Sequence, residues 1–213
     1  MSARYKLVEP IEVSVGSPMP SRFADRMAAA RRRKMKIEIL RHPTEEDWRR
    51  CKFLAMTTIG RRNWSSTVTD EWKRKMLKAE HSPIRTLMFT IRMEVPYWVS
   101  VHFCRHKFGV EHYVSSQRND RQDKYDRNEA PQGASVVHVM DVNAQELMQM
   151  ARMRLCGQAS SETRWVMARI CSEVKRTNPE FADFLKPKCV IHGGCNEFKS
   201  CGFYEMEAKN GQD

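Results

Sequence analysis

The stretch CRHKFGVEHYVSSQRNDR, residues 104–121, concentrates side chains suited to anion chemistry. Arg105, His106 and Lys107 open it, Arg118 and Arg121 close it, and His112, Tyr113, Ser115, Ser116 and Gln117 lie between. Guanidinium, ammonium, imidazole and hydroxyl groups at this density suit phosphates, because each offers N–H or O–H donors and several carry charge. Cations at a helix end also have a plainer cause, the attraction of the helix dipole. A second set stands in the tail. Cys189, His192, Cys195 and Cys201 have ligand chemistry for tetrahedral zinc, and Gly193, Gly194 and Gly202 permit tight turns. Their spacings of two, two and five intervening residues are not those of paired CxxC knuckles. Free thiols in a compact terminal lobe are the other reading.

The elements that must position these groups are partly legible. The chain has 213 residues, 41% hydrophobic and 9% aromatic, enough to bury a core without disulfides. Its net charge of +11 points to an anionic partner. No run of 18 apolar residues occurs, so no membrane span is expected. The N-terminus lacks the apolar core of a secretory signal, which points to a cytoplasmic protein whose seven cysteines are thiols or metal ligands. Residues 1–34 read as a basic extension, 35–186 as the folded domain and 187–213 as a Cys-rich tail.

Within the domain, MKIEIL reads as a strand, Thr44 with Asp47 as a helix start, and Asp70 to Glu80 as a second helix. Leu87, Phe89, Ile91, Met93 and Val95 alternate with Met88, Thr90, Arg92 and Glu94, the strongest strand signal in the chain. Pro96 ends that strand and opens a buried helix, YWVSVHFC, that delivers Arg105-His106-Lys107 at its C-terminal end. Residues 119–135 read as a loop. A helix follows from Asn143, with Glu146 at capping-box spacing, and another from about Ser160 to Arg176, with Val166, Ile170 and Val174 on its buried stripe.

Two segments, in order and correctly spaced, resemble the flavin-dependent thymidylate synthases. HSPIRTLMFTIRMEVPYWVSVHFCRHK, residues 81–107, is similar to the family's strand and buried helix leading to Arg-His-Arg, seven residues and a serine. VNAQELMQMARMRL, residues 142–155, is similar to its Asn-Ala-Arg segment, with Arg154 eleven residues after Asn143. NPEFADFL at 178–185 looks like its closing helix. The resemblance implies an α/β (α+β) fold, a mixed sheet flanked by helices, and a homotetramer whose sites draw on several subunits. It implies FAD held by Ser82, Arg105, His106, Lys107, Asn143 and Gln149. It implies dUMP held by His102, Tyr113, Ser115, Ser116, Gln117 and Arg118, with Arg154 as the catalytic group on the uracil ring. Methylenetetrahydrofolate would be the carbon donor and NADPH the reductant.

The chain departs from that pattern at three places. Lys107 replaces an arginine, which keeps the charge and loses the bidentate fork. One residue is inserted near the serines: Ser115 keeps the seven-residue count, while Ser116-Gln117-Arg118 keeps the Ser-x-Arg ending, and Tyr113 or Glu111 stands for the family's glutamate. Residues 119–142 are short, leaving Arg121 or Arg127 as stand-ins for a phosphate-binding arginine. These departures keep a pyrimidine-hydroxymethylating enzyme open as a rival. A basic nucleic-acid-binding module without flavin is a rival of another class, resting on charge alone.

Overall fold

The computed structural model describes residues 34–61, 67–121 and 126–210, the side chains of 207–210 excepted. Most of the expected basic extension lies outside the described residues. Strand β2 (Met88–Pro96) organises the rest. Phe89, Ile91, Met93 and Val95 are buried, while Met88, Thr90, Arg92 and Glu94 are half-buried on the opposite face. Full burial of such apolar side chains stabilises by roughly 1.5–3 kcal/mol each. Strand β1 (Lys36–Arg41) pairs with one edge of β2, β4 (Ser135–Asn143) with the other, and β3 (Val110–Val114) lies beyond β4. The α+β class is as expected from the sequence. The sheet is antiparallel at each of its three pairings, where a mixed sense was expected.

The helices pack with the buried row of this sheet. They are α1 (Glu45–Thr57), α2 (Asp70–Lys78), α3 (Tyr97–Phe103), α4 (Ala144–Arg154) and α5 (Ser161–Thr177), followed by the short α6 (Lys188–His192) and α7 (Phe203–Asn210). Thr44 and Asp47 form the complete capping box of α1, each side chain accepting the other's backbone N–H. Val166, Ile170 and Val174 of α5 are fully buried. Phe181, from the NPEF turn, packs edge-on against Phe89 at 5.3 Å, and Glu180 accepts the buried Trp48 indole N–H at 2.8 Å. Helix α2 stops at Lys78, short of the Glu80 the sequence suggested. Glu80 instead takes φ 47, and the N–H groups of Glu80 and His81 return to Leu77 and Met76, a Schellman-type end without the usual glycine.

Strands β3 and β4 have no counterpart in the sequence reading. In SVVHVMDVN the outward residues Val137 and Val139 are as apolar as the inward ones, and one inward position is His138, so no alternation is visible. The register places His138 opposite Met93 on one side and Val114 on the other. It is fully buried, and burial, aided by His112, pushes its pKa down to about 4. Ser100 Oγ–H donates to Nδ1 (3.0 Å), Nε2–H donates to His112 Nδ1 (2.9 Å), and His112 Nε2–H donates to the His106 carbonyl (2.8 Å). This assignment satisfies every ring nitrogen with both imidazoles neutral.

A base whose folded pKa lies below its unfolded value binds fewer protons when folded, so stability falls as pH drops through that window. Between pH 6.5 and about 4, His138 should cost up to about 3 kcal/mol of stability. Urea unfolding across this range should show the loss, and His138→Asn should flatten that part of the profile.

Candidate active site

Helix α3 is capped by Cys104, and the chain turns through Arg105, His106, Lys107, Phe108 and Gly109 before entering β3. The turn is pressed against the start of α4. Gly109 sits at φ +76, a Cβ there would fall 2.4 Å from Asn143 Nδ2, and its carbonyl accepts the Asn143 N–H at 2.8 Å. Only glycine meets both demands, the left-handed backbone and the absent side chain. Asn143 Oδ1 in turn accepts the Glu146 N–H at 2.9 Å and so caps α4.

Glu146 does not complete a capping box. Its carboxylate accepts from His106 Nδ1 at 2.6 Å, and on the far side of the same ring Nε2 accepts from Arg154 Nε at 3.0 Å. Because Arg154 can only donate, His106 must present a lone pair at Nε2 and carry its proton on Nδ1. A neutral imidazole therefore links an anion to a cation; Glu146 and Arg154 hold the ring, while the backbone of residue 106 is held by its N–H bond to the Phe103 carbonyl and by His112 on its own carbonyl. Among the described residues Nε is the one Arg154 nitrogen with a protein partner, which leaves the two terminal –NH2 groups to a ligand. Burial, then the neighbouring Arg105, lowers the Arg154 pKa, yet a guanidinium stays charged. This half-buried cation has no directly bonded anion among the described residues and is poised for one.

His102 borders the same group. Thr163 Oγ1 lies 2.7 Å from its Nδ1, Trp98 packs edge-on at 5.6 Å, and burial, Arg154 and Arg105 hold its pKa below the ordinary imidazole value. Beside the His106 turn lies a cleft of about 420 Å³ walled by Glu80, Arg85, Phe108, Gly109, Asn143, Gln145, Glu146 and Gln149. Its donors are Arg85, whose Nε also reaches Gln145 Oε1 at 2.5 Å, and the amides of Asn143, Gln145 and Gln149. Phe108, 87% exposed, offers a ring face, and Gly109 leaves backbone bare at the wall. A planar, anionic cofactor fits such a donor set, with exposed Arg105 and Lys107 in the adjoining turn. Glu80 also ion-pairs with Arg152, which turns that arginine away from the role of Arg154.

The sequence-predicted residues thus divide. His102, Arg105, His106, Lys107, Asn143, Gln149 and Arg154 come together around one turn and one helix. Ser82 opens the short turn Ser82–Thr86 that carries Arg85 to the cleft, and is exposed outside its lining. Tyr113 sits in β3 near its other end, and Ser115, Ser116, Gln117 and Arg118 lie past that end. At about 3.3 Å per strand residue, the six residues from Gly109 put Ser115 roughly 15–20 Å away. There Ser115 Oγ accepts the Val137 N–H, Ser116 Oγ accepts the Arg118 N–H, and Arg118 makes a two-pronged pair with Asp120 at 2.9 and 2.6 Å. Sequence reasoning missed Glu80, Arg85 and Phe108, and gave Glu146 only a capping role; its place one helical turn after the cap and two turns before Arg154 was the available signal.

Among the described residues, two groups bring metal-ligating side chains together. Cys104, His112 and His138 bring ligand atoms within 4.8 Å of one another, but the ring nitrogens are already engaged in the chain of hydrogen bonds described above. In the tail, Cys189, Cys195 and Cys201 line one small cavity; the expected fourth member, His192, is not among its lining residues, and Cys156 is.

The Gly109 contact is testable against a control in the same chain. Gly60 has the same φ of +76 with no atom within 4 Å of a Cβ. Gly60→Ala should cost only the backbone term, about 1–2 kcal/mol, whereas Gly109→Ala should exceed it by a further 1 kcal/mol or more, on the order of a tight overpacking penalty. Denaturant midpoints of the two variants, at equal m, provide the comparison.

Residues 122–180 match the family model described as Thy1, thymidylate synthase complementing protein. Curated relatives described as flavin-dependent thymidylate synthase come from Sulfurisphaera tokodaii, 29% identical over 84 residues (39% of this chain, 33% of the relative), and from Sulfolobus acidocaldarius, 36% identical over 62 residues (29% and 24%). A third, from Saccharolobus solfataricus, is 28% identical over 87 residues (41% and 34%). The matched segments thus span a third or so of those relatives' length, or less. Among solved structures, a UMP/dUMP methylase, PolB from Streptomyces cacaoi, bound with 5-Br dUMP, shares the fold at a TM-score of 0.56 and 12% identity, covering 72% of this chain and 97% of that one. The family that the chain's motifs resemble is therefore the one whose model and curated members it matches, the flavin-dependent thymidylate synthases of the Thy1 family.

Proposed function

We propose that the protein is a flavin-dependent thymidylate synthase, methylating dUMP at C5 to give dTMP with methylenetetrahydrofolate as carbon donor and NADPH as reductant. The observation that carries the reading is the Glu146–His106–Arg154 chain beside a cleft with donors for an anionic, planar cofactor. Asn143, Gln149, Arg85 and the turn at Arg105, His106 and Lys107 would hold FAD, which when bound supplies the hydride chemistry.

The chain's own part is to bind, orient and polarise. Arg154, fixed through Nε, directs its two –NH2 groups at the N3/O4 side of a uracil ring and stabilises the charge that develops there when C5 acts as nucleophile. His106 keeps that guanidinium aimed without cancelling its charge, because it is neutral. His102, neutral beside it, offers Nε2 to the same ligand. Tyr113 and residues 115–118, toward the end of β3 away from the His106 turn, would serve the nucleotide phosphate and sugar in a neighbouring copy's site, in keeping with a homotetramer.

Oxidised-flavin absorption on adding FAD, bleached by NADPH, followed by product mass from dUMP, tests the reading. A methyl increment supports it, a hydroxymethyl increment gives the rival enzyme, and salt-sensitive nucleic-acid binding without flavin overturns both. Arg154→Ala should lower turnover by about 100-fold or more while leaving flavin bound, the size of loss expected for an oriented charge-stabilising donor. Glu146→Leu should lower turnover by about tenfold or more through the freed imidazole, and Glu146→Gln, which can still accept from Nδ1–H, should recover most of it.

A further inference from the structure

Cys156 follows Arg154 by two residues, at the end of α4, and is separated in sequence from the tail cysteines by all of α5. The fold nevertheless brings it to them. Cys156, Cys189, Cys195 and Cys201 line one cavity of about 20 Å³, room for a single ion or water. The contact is close: a Cβ on Gly157 would lie 2.6 Å from Cys201 Sγ, so glycine is what lets that sulfur reach the Cys156 turn. The Gln158 side chain ties the tail to the same turn, donating from Nε2 to the Lys199 carbonyl at 2.8 Å. The Gln158 backbone N–H points at Cys156 Sγ (3.5 Å), and the Val190 N–H at the Cys189 sulfur, the backbone support that ligating thiolates use. The three tail cysteines are spaced by five residues each, and Gly193 and Gly202, both at positive φ, flank the loop that carries Cys195.

We propose that Cys156, Cys189, Cys195 and Cys201 form a four-thiolate zinc site that staples the tail to the end of the helix bearing Arg154. His192, at the end of α6, is not a ligand. Zinc suits four soft sulfurs in tetrahedral array, and a cavity for one ion does not suit an iron–sulfur cluster. On uptake four S–H protons pass to solvent as four S–Zn bonds form, leaving a dianionic centre in a basic chain, with Lys188 on the cavity wall. The sulfurs are not yet at ligand spacing, since the one trio of ligating atoms within 4.8 Å among the described residues is Cys104, His112 and His138. Closure onto the ion therefore falls to the loop between Gly193 and Gly202.

The test is the metal content of the full chain purified without chelator and loaded with Zn²⁺ alone. One zinc per chain is expected, retained in His192→Ala and reduced at least tenfold in Cys156→Ser. Should Cys156→Ser fail to fold, cobalt-substituted wild-type protein gives an independent answer, its sulfur-to-cobalt charge-transfer intensity reporting four thiolates. Zinc kept by Cys156→Ser, zinc lost from His192→Ala, a cobalt spectrum of fewer thiolates, an iron–sulfur chromophore, or no bound metal would each overturn the proposal. None of these readouts depends on flavin or turnover.

Discussion

The direction of the Arg154 guanidinium depends on one neutral imidazole. Had His106 been a carboxylate, the arginine would be aimed but its charge paired, and a developing anion would gain less from it. Had it been an amide, two rotamers would serve and the aim would be loose. The imidazole separates the charges: Glu146 fixes the proton on Nδ1, which forces the lone pair to Nε2, which fixes Arg154 Nε. Everything else near the site can be understood as keeping that ring still. Gly109 lets the turn approach Asn143, Asn143 starts the helix that carries both Glu146 and Arg154, and eight residues of helix set Glu146 and Arg154 two turns apart on one side.

The same requirement explains polar groups in a core that could have been wholly apolar. Ser100, His138 and His112 run from the buried face of the sheet to the His106 carbonyl. Buried imidazoles cost desolvation free energy, recovered only when each nitrogen has a partner, and here each does. An apolar trio of equal volume would stabilise the sheet at least as well, but it would leave the carbonyl of the turn without its donor. The cost to stability is repaid as a defined position for residue 106. It also binds β3, an edge strand, to α3 through side chains as well as through its ladder with β4.

What the sequence made legible follows from distance along the chain. The β2 alternation, the Thr44 cap, the α5 stripe and the delivery of Arg105-His106-Lys107 by a helix after Pro96 are local patterns, and each stands in the structure, although that helix buries only Val99, Ser100 and Phe103. β4 was hidden because its outward valines and inward histidine invert the usual signal. Glu146 fitted a local rule, the capping box, and a residue thus accounted for invites no second role; its actual partner lies 40 residues away. Cys156 was passed over because tail cysteines form a compact group in sequence, and only the packing of α4 against the segment after α5 brings it to them. Arg154 was found through the resemblance of residues 142–155 to the family's segment, whose spacing from asparagine it keeps, whereas the reason for its aim was not visible.

The opening stretch was expected to face two anions at once, and its geometry sharpens that expectation. A five-residue strand separates its two cationic ends, and β3 is stiff, paired along its length with β4. The strand holds Ser115 roughly 15–20 Å from Gly109, at the end of β3 away from the His106 turn. As proposed above, each chain would lend its Ser115 end to a site whose Arg154 belongs to a neighbouring copy. The pair between Arg118 and Asp120 is consistent with this: exposed at the strand's end, it holds the arginine in a neutralised resting contact that a stronger anion can displace. On that proposal activity would depend on assembly, since the Arg154 and Ser115 ends of one chain would complete different sites.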